Sequence, residues 1–304
     1  MNQSTELAAI ICQAIDLHVH IGPEIIPRAF TAEELARSQR GRLAGAVTKN
    51  HCYPTVFATA AVPRTDFLLV PGLVLNNFVG GLNPDAVYAT ALLAGGPFVV
   101  WLPTTHARQF LESSTYEIAP EWVADKSITL RHSSAVLPVE VTQNGNLTAA
   151  ARRTIRAVAA AGAVLATGHI AWQEAEPVAA YAKRAGVRAV IVTHPIYQHI
   201  GMPLAAQQRL AAAGCFMEQC YSMYKLDGIP IQNIAAEIRA VGAERVVLSS
   251  DVGQAFSLPP DEALTEFAEL LLAEGITLAE LRTMLVANPR RILGISSKTT
   301  YNKP

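Results

Sequence analysis

The stretch Ala14-Ile15-Asp16-Leu17-His18-Val19-His20-Ile21-Gly22-Pro23 is the one from which the rest of the chain can be read. An apolar lead-in, the run D-L-H-V-H and a Gly-Pro break describe a buried strand that ends on histidine. Strand side chains alternate faces, so His18 and His20 are expected on one side, with Asp16 on that side one step further back. Two imidazoles converging on one point can hold a metal ion, and neutral imidazole nitrogen is a common ligand for first-row metals. An H-x-H alone is equally compatible with two hydrogen-bonded histidines at a strand end. The rest of the chain has to decide.

Working outward, short apolar runs recur with helical segments between them. Strands are expected at 14–20, 44–51, about 66–75, 97–103, 163–169, 188–194, 215–220 and 245–251. Thr31 caps a helix running to about Arg40, with Glu33 and Glu34 in its first turn. Asn83-Pro84 opens another, and Thr148 caps one that closes at Gly162. The strands are mostly continuous apolar runs, as in a parallel sheet covered on both faces. Eight such strands, each followed by a helix, predict a (β/α)8 TIM barrel, whose active site lies at the C-terminal ends of the strands. A doubly wound open sheet fits less well. No G-x-G-x-x-G follows the first strand, and only a closed barrel brings the ends of strands 1, 2, 5, 6, 7 and 8 together. The whole chain, 1–304, reads as one barrel domain. Residues 104–147 are an insertion after strand 4, with a hairpin from Val136 turning at Gln143-Asn144-Gly145-Asn146. An insertion of that length is expected to act as a lid or a binding wall.

Composition narrows the function. The 304 residues are 51% hydrophobic and 16% charged, which suits a large buried core rather than disorder. The formal net charge is −1 and no basic stripe stands out, so nucleic acid is not an expected partner. No apolar run has membrane-spanning length and no signal peptide is recognisable at the N-terminus, so a cytoplasmic protein without a membrane partner is expected. The four cysteines, Cys12, Cys52, Cys215 and Cys220, show no C-x-x-C spacing and read as reduced, mostly buried thiols. Apolar residues in the insertion leave a homo-oligomer open.

His18, His20, His169, His194 and Asp251 each fall at, or within one residue of, an expected C-terminal strand end. Four of the chain's eight histidines therefore occupy such ends. Taken singly, His169 and His194 could be satisfied histidines near helix starts, and Asp251 could be a helix N-cap. Together they form a donor set. On these residues (D-L-H-V-H, T-G-H at 167–169, T-H-P at 193–195, S-S-D at 249–251 and the terminal N-P-R-R-I-L-G at 288–294) the chain resembles the amidohydrolase superfamily of metal-dependent hydrolases, near its phosphotriesterase-like branch. The resemblance implies a small-molecule substrate and a divalent metal: zinc first, with manganese, iron or nickel as alternatives, as one ion or two. His18, His20 and Asp251 would be ligands. His169 and His194 would be ligands as well, or His194 a proton shuttle or carbonyl polariser. Asp251 would be the catalytic proton carrier.

One feature departs from that family. Its binuclear members commonly carry a lysine or glutamate at the end of strand 4, where this chain has Trp101-Leu102-Pro103-Thr104. Lys49 and Glu218 could substitute. Lys49 would serve as a carbamate ligand or grip an anionic substrate, and Glu218 would orient a ligand imidazole. His51 and His199 could contact substrate, and Arg28 and Tyr53 could orient it; His106 and His132 lie in the insertion. The activity expected is hydrolysis of a C–N or C–O bond: amide, cyclic amide, lactone or ester. A one-metal lyase such as a decarboxylase is the alternative, and a phosphotriesterase-type hydrolase a more distant one.

Overall fold

The structure is a computed structural model that describes residues 3–113 and 137–295. The expectations attached to His132 and Val136 lie outside the described residues. Among those described, the strands are β1 (Ile15–His20), β2 (Gly45–Lys49), β3 (Leu68–Val70), β4 (Gly72–Val74), β5 (Val99–Trp101), β6 (Thr142–Gln143), β7 (Asn146–Leu147), β8 (Val164–Ala166), β9 (Val190–Val192), β10 (Phe216–Cys220) and β11 (Val246–Ser249). All but the β6–β7 hairpin pair in parallel.

The strands close on themselves. β1-β2-β3 form one ladder and β4-β5-β8-β9-β10-β11 the other. The expected third strand, 66–75, is broken at Pro71, which has no N–H to give to a ladder. Its first half pairs with β2 and its second half with β5. At the other seam His20 N donates to Val252 O (2.8 Å) and Asp251 N to His18 O (2.9 Å). Gly253 makes that seam possible: its φ is 135°, and a Cβ there would lie 2.2 Å from His20 O. The result is the eight-stranded parallel barrel expected from the sequence.

β1 corrects the simple alternation. Asp16 pairs with Ala46 but Val19 with Thr48, so β1 carries one extra residue between them. Ile15 and Leu17 pack inside the barrel with Val47, and beyond the bulge His18 meets Glu218 and Lys49 there. Asp16, across from Ala46, therefore faces away from the two histidines. Its Oδ1 accepts from His18 N and Ser250 N, both at 3.1 Å, and so ties β1 to β11.

Inside the barrel, Ile15, Leu17, Val47, Val70, Val99, Trp101, Val164, Ile191, Phe216 and Val247 form an apolar plug that Ile292 and Leu293 of the last helix extend. A second cluster fills the space between strands and helices. Helix starts follow the sequence: Thr31 and Glu34 make a reciprocal capping box, and the side chains of Asn83 and Thr148 cap their helices. Asn288-Pro289 opens a further helix, Asn288–Leu293. Proline is tolerated in a first turn, and Asn288 Nδ2 anchors the turn to Ala243 O and Val246 O. A short helix at Tyr221–Lys225 has no clear sequence signal. Of the insertion, the helix Arg108–Ser113 and the β6–β7 hairpin are described. The hairpin turns at Asn144-Gly145 as expected, with φ of 51° and 75°, but each strand is only two residues long. No helix among the described residues is long and apolar enough to cross a membrane.

Candidate metal centre

Asp251 sits where the barrel seam opens. Its Oδ1 is 3.0 Å from His18 Nε2 and 3.1 Å from His20 Nε2, and its Oδ2 accepts from Ser222 Oγ at 2.8 Å. Among the described residues three non-glycines have positive φ: Asn144 in the hairpin turn, His194 (25°) and Asp251 (51°). The last two hold backbone strain where the donors gather.

His18 is the most crowded member. Its Nδ1 is 3.3 Å from Glu218 Oε2, and Glu218 Oε1 accepts from Ser249 Oγ at 2.9 Å. With the Nδ1 proton given to Glu218, Nε2 has one lone pair to offer. Lys49 Nζ lies 2.8 Å from that nitrogen and Asp251 Oδ1 lies 3.0 Å from it. A lone pair suits the Lys49 ammonium but confronts the carboxylate; an N–H suits the carboxylate but confronts the ammonium. A divalent cation between imidazole and carboxylate removes the conflict, provided Lys49 yields or is uncharged. The site therefore fits a metal on its own chemistry.

The protonation states agree. Burial holds His20 and His169 well below the ordinary imidazole range, helped by Arg28 at His20 and by His194 at His169. Burial pushes His194 down to about 4. Neutral imidazole is the ligand form. For Asp251, burial alone would raise the pKa, but the charge and hydrogen bonds of His18 and His20 hold it well below the carboxylate range. His18 is the exception: burial and Lys49 lower its pKa, yet Asp251 and Glu218 raise it overall. Burial lowers Lys49 against the pull of Asp251 and Glu218. The Nδ1 atoms of His20, His169 and His194 are buried without a protein partner.

The rings pack continuously. His18 lies 5.3 Å from His20 and 6.0 Å from His194, and His169 lies 5.0 Å from His194. The structure thus brings together His18, His20, His169, His194, Asp251, Lys49 and Glu218. His51 is adjoining: its ring is 4.8 Å from His20, its Nδ1 bonds Thr104 Oγ1 at 2.8 Å, and burial holds its pKa well down. His199 stands apart, half-buried, bonded to Ser113 Oγ (3.0 Å), with Tyr197 and Phe110 between it and His169. His106 is buried with its ring edge-on to Phe78. Arg28 is ion-paired with Glu24, both side chains sealed from solvent.

Three contributors were not singled out from the sequence. Tyr197 packs its ring on His169 and His194, and Ser222 comes from the unexpected short helix. Cys220 ends β10, with its thiol sulfur, one His18 nitrogen and one Asp251 oxygen all within 4.8 Å of one another.

Residues 13–218 match the profile of a family described as a family of unknown function, DUF6282. No curated protein matches. Among solved structures, an amidohydrolase from Pseudomonas aeruginosa is similar at TM-score 0.63 and 12% identity, with 97% of this chain and 100% of that one covered. A probable dipeptidase from the same organism aligns at TM-score 0.59 and 10% identity, covering 96% and 98%. An organophosphorus hydrolase variant from Deinococcus radiodurans aligns at TM-score 0.50 and 14% identity, covering 94% and 95%. At these identities the likeness is one of fold, and it is the amidohydrolase fold that the strand-end motifs implied.

Proposed function

The chain belongs to the DUF6282 family of unknown function, and we propose that it is a metal-dependent hydrolase acting on a C–N or C–O bond of a small molecule. The observation that carries this is one carboxylate oxygen, Asp251 Oδ1, standing 3.0 and 3.1 Å from the Nε2 atoms of two buried imidazoles. His18, His20 and Asp251 are the core ligands, with His169 and His194 completing the set. Zinc is the first choice for such imidazole-rich donors. The four free cysteines suit a reducing compartment, and we place the protein in the cytoplasm.

A bound divalent metal would supply a Lewis acid and an acidified water. The chain's own residues do the rest. Asp251, kept ionised, accepts the proton of the attacking water at Oδ2 and returns it to the leaving group. Glu218 fixes the His18 ring through Nδ1, as carboxylates behind ligand histidines do. His194, kept neutral, is free to ligate or to polarise the scissile carbonyl. The rings of Tyr197 and Phe110, packed on His169, keep water from its flank. A second reading, a one-metal decarboxylase, is favoured by Lys49, a buried amine in the cluster that, when protonated, would hold a substrate carboxylate.

The test is a panel of amides, cyclic amides, lactones, esters and carboxylated substrates offered to chelator-treated protein, with and without zinc, manganese, iron or nickel. Metal-dependent release of acid or amine is expected. Release of carbon dioxide instead would move the assignment to the lyase, and no metal-dependent turnover of any of them would overturn both.

A further inference from the structure

We propose that Cys220 is a metal ligand of this centre, a thiolate donated from β10 across the barrel from His18. The inference rests on the metal-centre reading above and deepens it. Three observations support it. The first is distance: the sulfur lies within 4.8 Å of a His18 nitrogen and an Asp251 oxygen, which themselves are 3.0 Å apart. Donors bound to one ion at about 2.0–2.3 Å must stand about that close.

The second is register. Phe216, Glu218 and Cys220 alternate along one face of β10. Phe216 belongs to the apolar plug and Glu218 bonds His18, so that face is the barrel interior. Cys220 pairs with Ser249, two residues before Asp251 on the neighbouring strand. The thiol is thus aimed at the level of the donors, not at the helices. Gln219, on the opposite face, bonds Glu237 of the covering helix Ile231–Val241.

The third is satisfaction. Cys220 is fully buried, and its thiol makes no hydrogen bond among the described residues. A small apolar residue would pack as well at a position with nothing to bond. A thiol there is explained by a cation. It also supplies the donor that the Trp101-Leu102-Pro103 end of β5 does not. On binding, the S–H bond breaks, its proton goes to solvent, and sulfur gives an electron pair to the metal with nothing oxidised or reduced. A thiolate donor biases the site towards zinc, cobalt or iron(II) and away from magnesium, calcium and manganese.

The test uses the full-length protein loaded with Co²⁺. Wild type should show a near-ultraviolet sulfur-to-cobalt charge-transfer band, retained in Cys215→Ser and lost in Cys220→Ser. Zinc affinity of Cys220→Ser should fall by more than the about 10- to 100-fold that losing an outer partner costs. X-ray absorption at the zinc edge of the wild-type protein should show one sulfur at about 2.3 Å, a readout that does not depend on whether the variant folds. Cobalt bound at full stoichiometry without the band, or zinc without a sulfur neighbour, would overturn the Cys220 assignment and leave the metal centre standing. A band that persists in Cys220→Ser would also overturn it. Failure to bind any metal would overturn the centre itself and the thiolate with it.

Discussion

The barrel interior holds two regions built from the same strands, and they obey opposite rules. At the lower level Ile15, Leu17, Val47, Val99, Phe216 and Val247 make an apolar plug in which every neighbour suits every other. About two residues further along, the same strands present His18, His20, Lys49, Glu218, Cys220 and Ser249, with Asp251 just beyond. There one imidazole nitrogen is pressed by both a lysine and a carboxylate, and three buried histidine nitrogens lack partners. The lower level accounts for why the chain folds. The upper level is polar surface that burial penalises, tolerable because the plug beneath it holds the strand ends in place. Stability and chemistry are thus separated along each strand by a single pleat.

Substitutions can break that separation. Asp251→Asn should lower metal-dependent turnover by about 10²- to 10⁴-fold while metal content is largely kept; steady-state rates beside elemental analysis decide, and unchanged turnover would remove Asp251 from the mechanism. Leu17→Ala, one residue from His18 but in the plug, should cost about 2–5 kcal/mol in urea unfolding. The folded fraction should still take up metal as wild type does, and a folded Leu17→Ala protein that has lost its metal would erase the distinction between the levels. Glu218→Gln should weaken metal binding about 10- to 100-fold, measured by competition with a chelating dye. A smaller change there would show that Glu218 belongs to the scaffold.

Acid should separate the levels too, and the sign can be worked out for the metal-free protein. His194 titrates at about 4 when folded, against an ordinary 6.5. Between those values the unfolded chain binds the extra proton, so stability falls as pH falls. His20, His51 and His169, also lowered, push the same way. Asp16 opposes them: burial raises it from 3.8 to about 7, so its contribution is lost as pH rises through that window. Asp227, raised by burial to about 6, and His18, raised overall by Asp251 and Glu218 against its burial, act in the same direction as Asp16. The four lowered histidines outweigh the two aspartates and His18. Unfolding at pH 6.5 and pH 4.5 should show a loss on acidification of about 1.4 kcal/mol per pH unit for each histidine not offset. Asp16→Asn should steepen that loss, and a flat profile would show that the histidines are not buried as neutral rings.

What the sequence disclosed follows the same division. The fold was legible because strands buried on both faces leave continuous apolar runs, and Thr31, Asn83 and Thr148 mark helix starts by local chemistry. His18, His20, His169, His194 and Asp251 were legible because each breaks an apolar run at its end. Glu218 and Lys49 stood out as charges inside strands. The bulge in β1 was hidden because an extra residue shows only against its partner strand, and with it went the true facing of Asp16. The break at Pro71 was masked by the apolar residues on both sides. Cys220 was read as core because a buried thiol and a ligand thiol look alike until His18 and Asp251 are placed beside it. His199 looked close along the chain, yet Tyr197 and Phe110 screen it from His169.

The most direct test of the central claim is the metal content of purified protein, wild type against His18→Ala/His20→Ala, by elemental analysis with circular dichroism on both samples. The account predicts one or two equivalents of a divalent transition metal in wild type and none in a variant that keeps its fold. A wild-type protein that takes up no metal even after reconstitution, or a folded variant that retains the wild-type content, would contradict it.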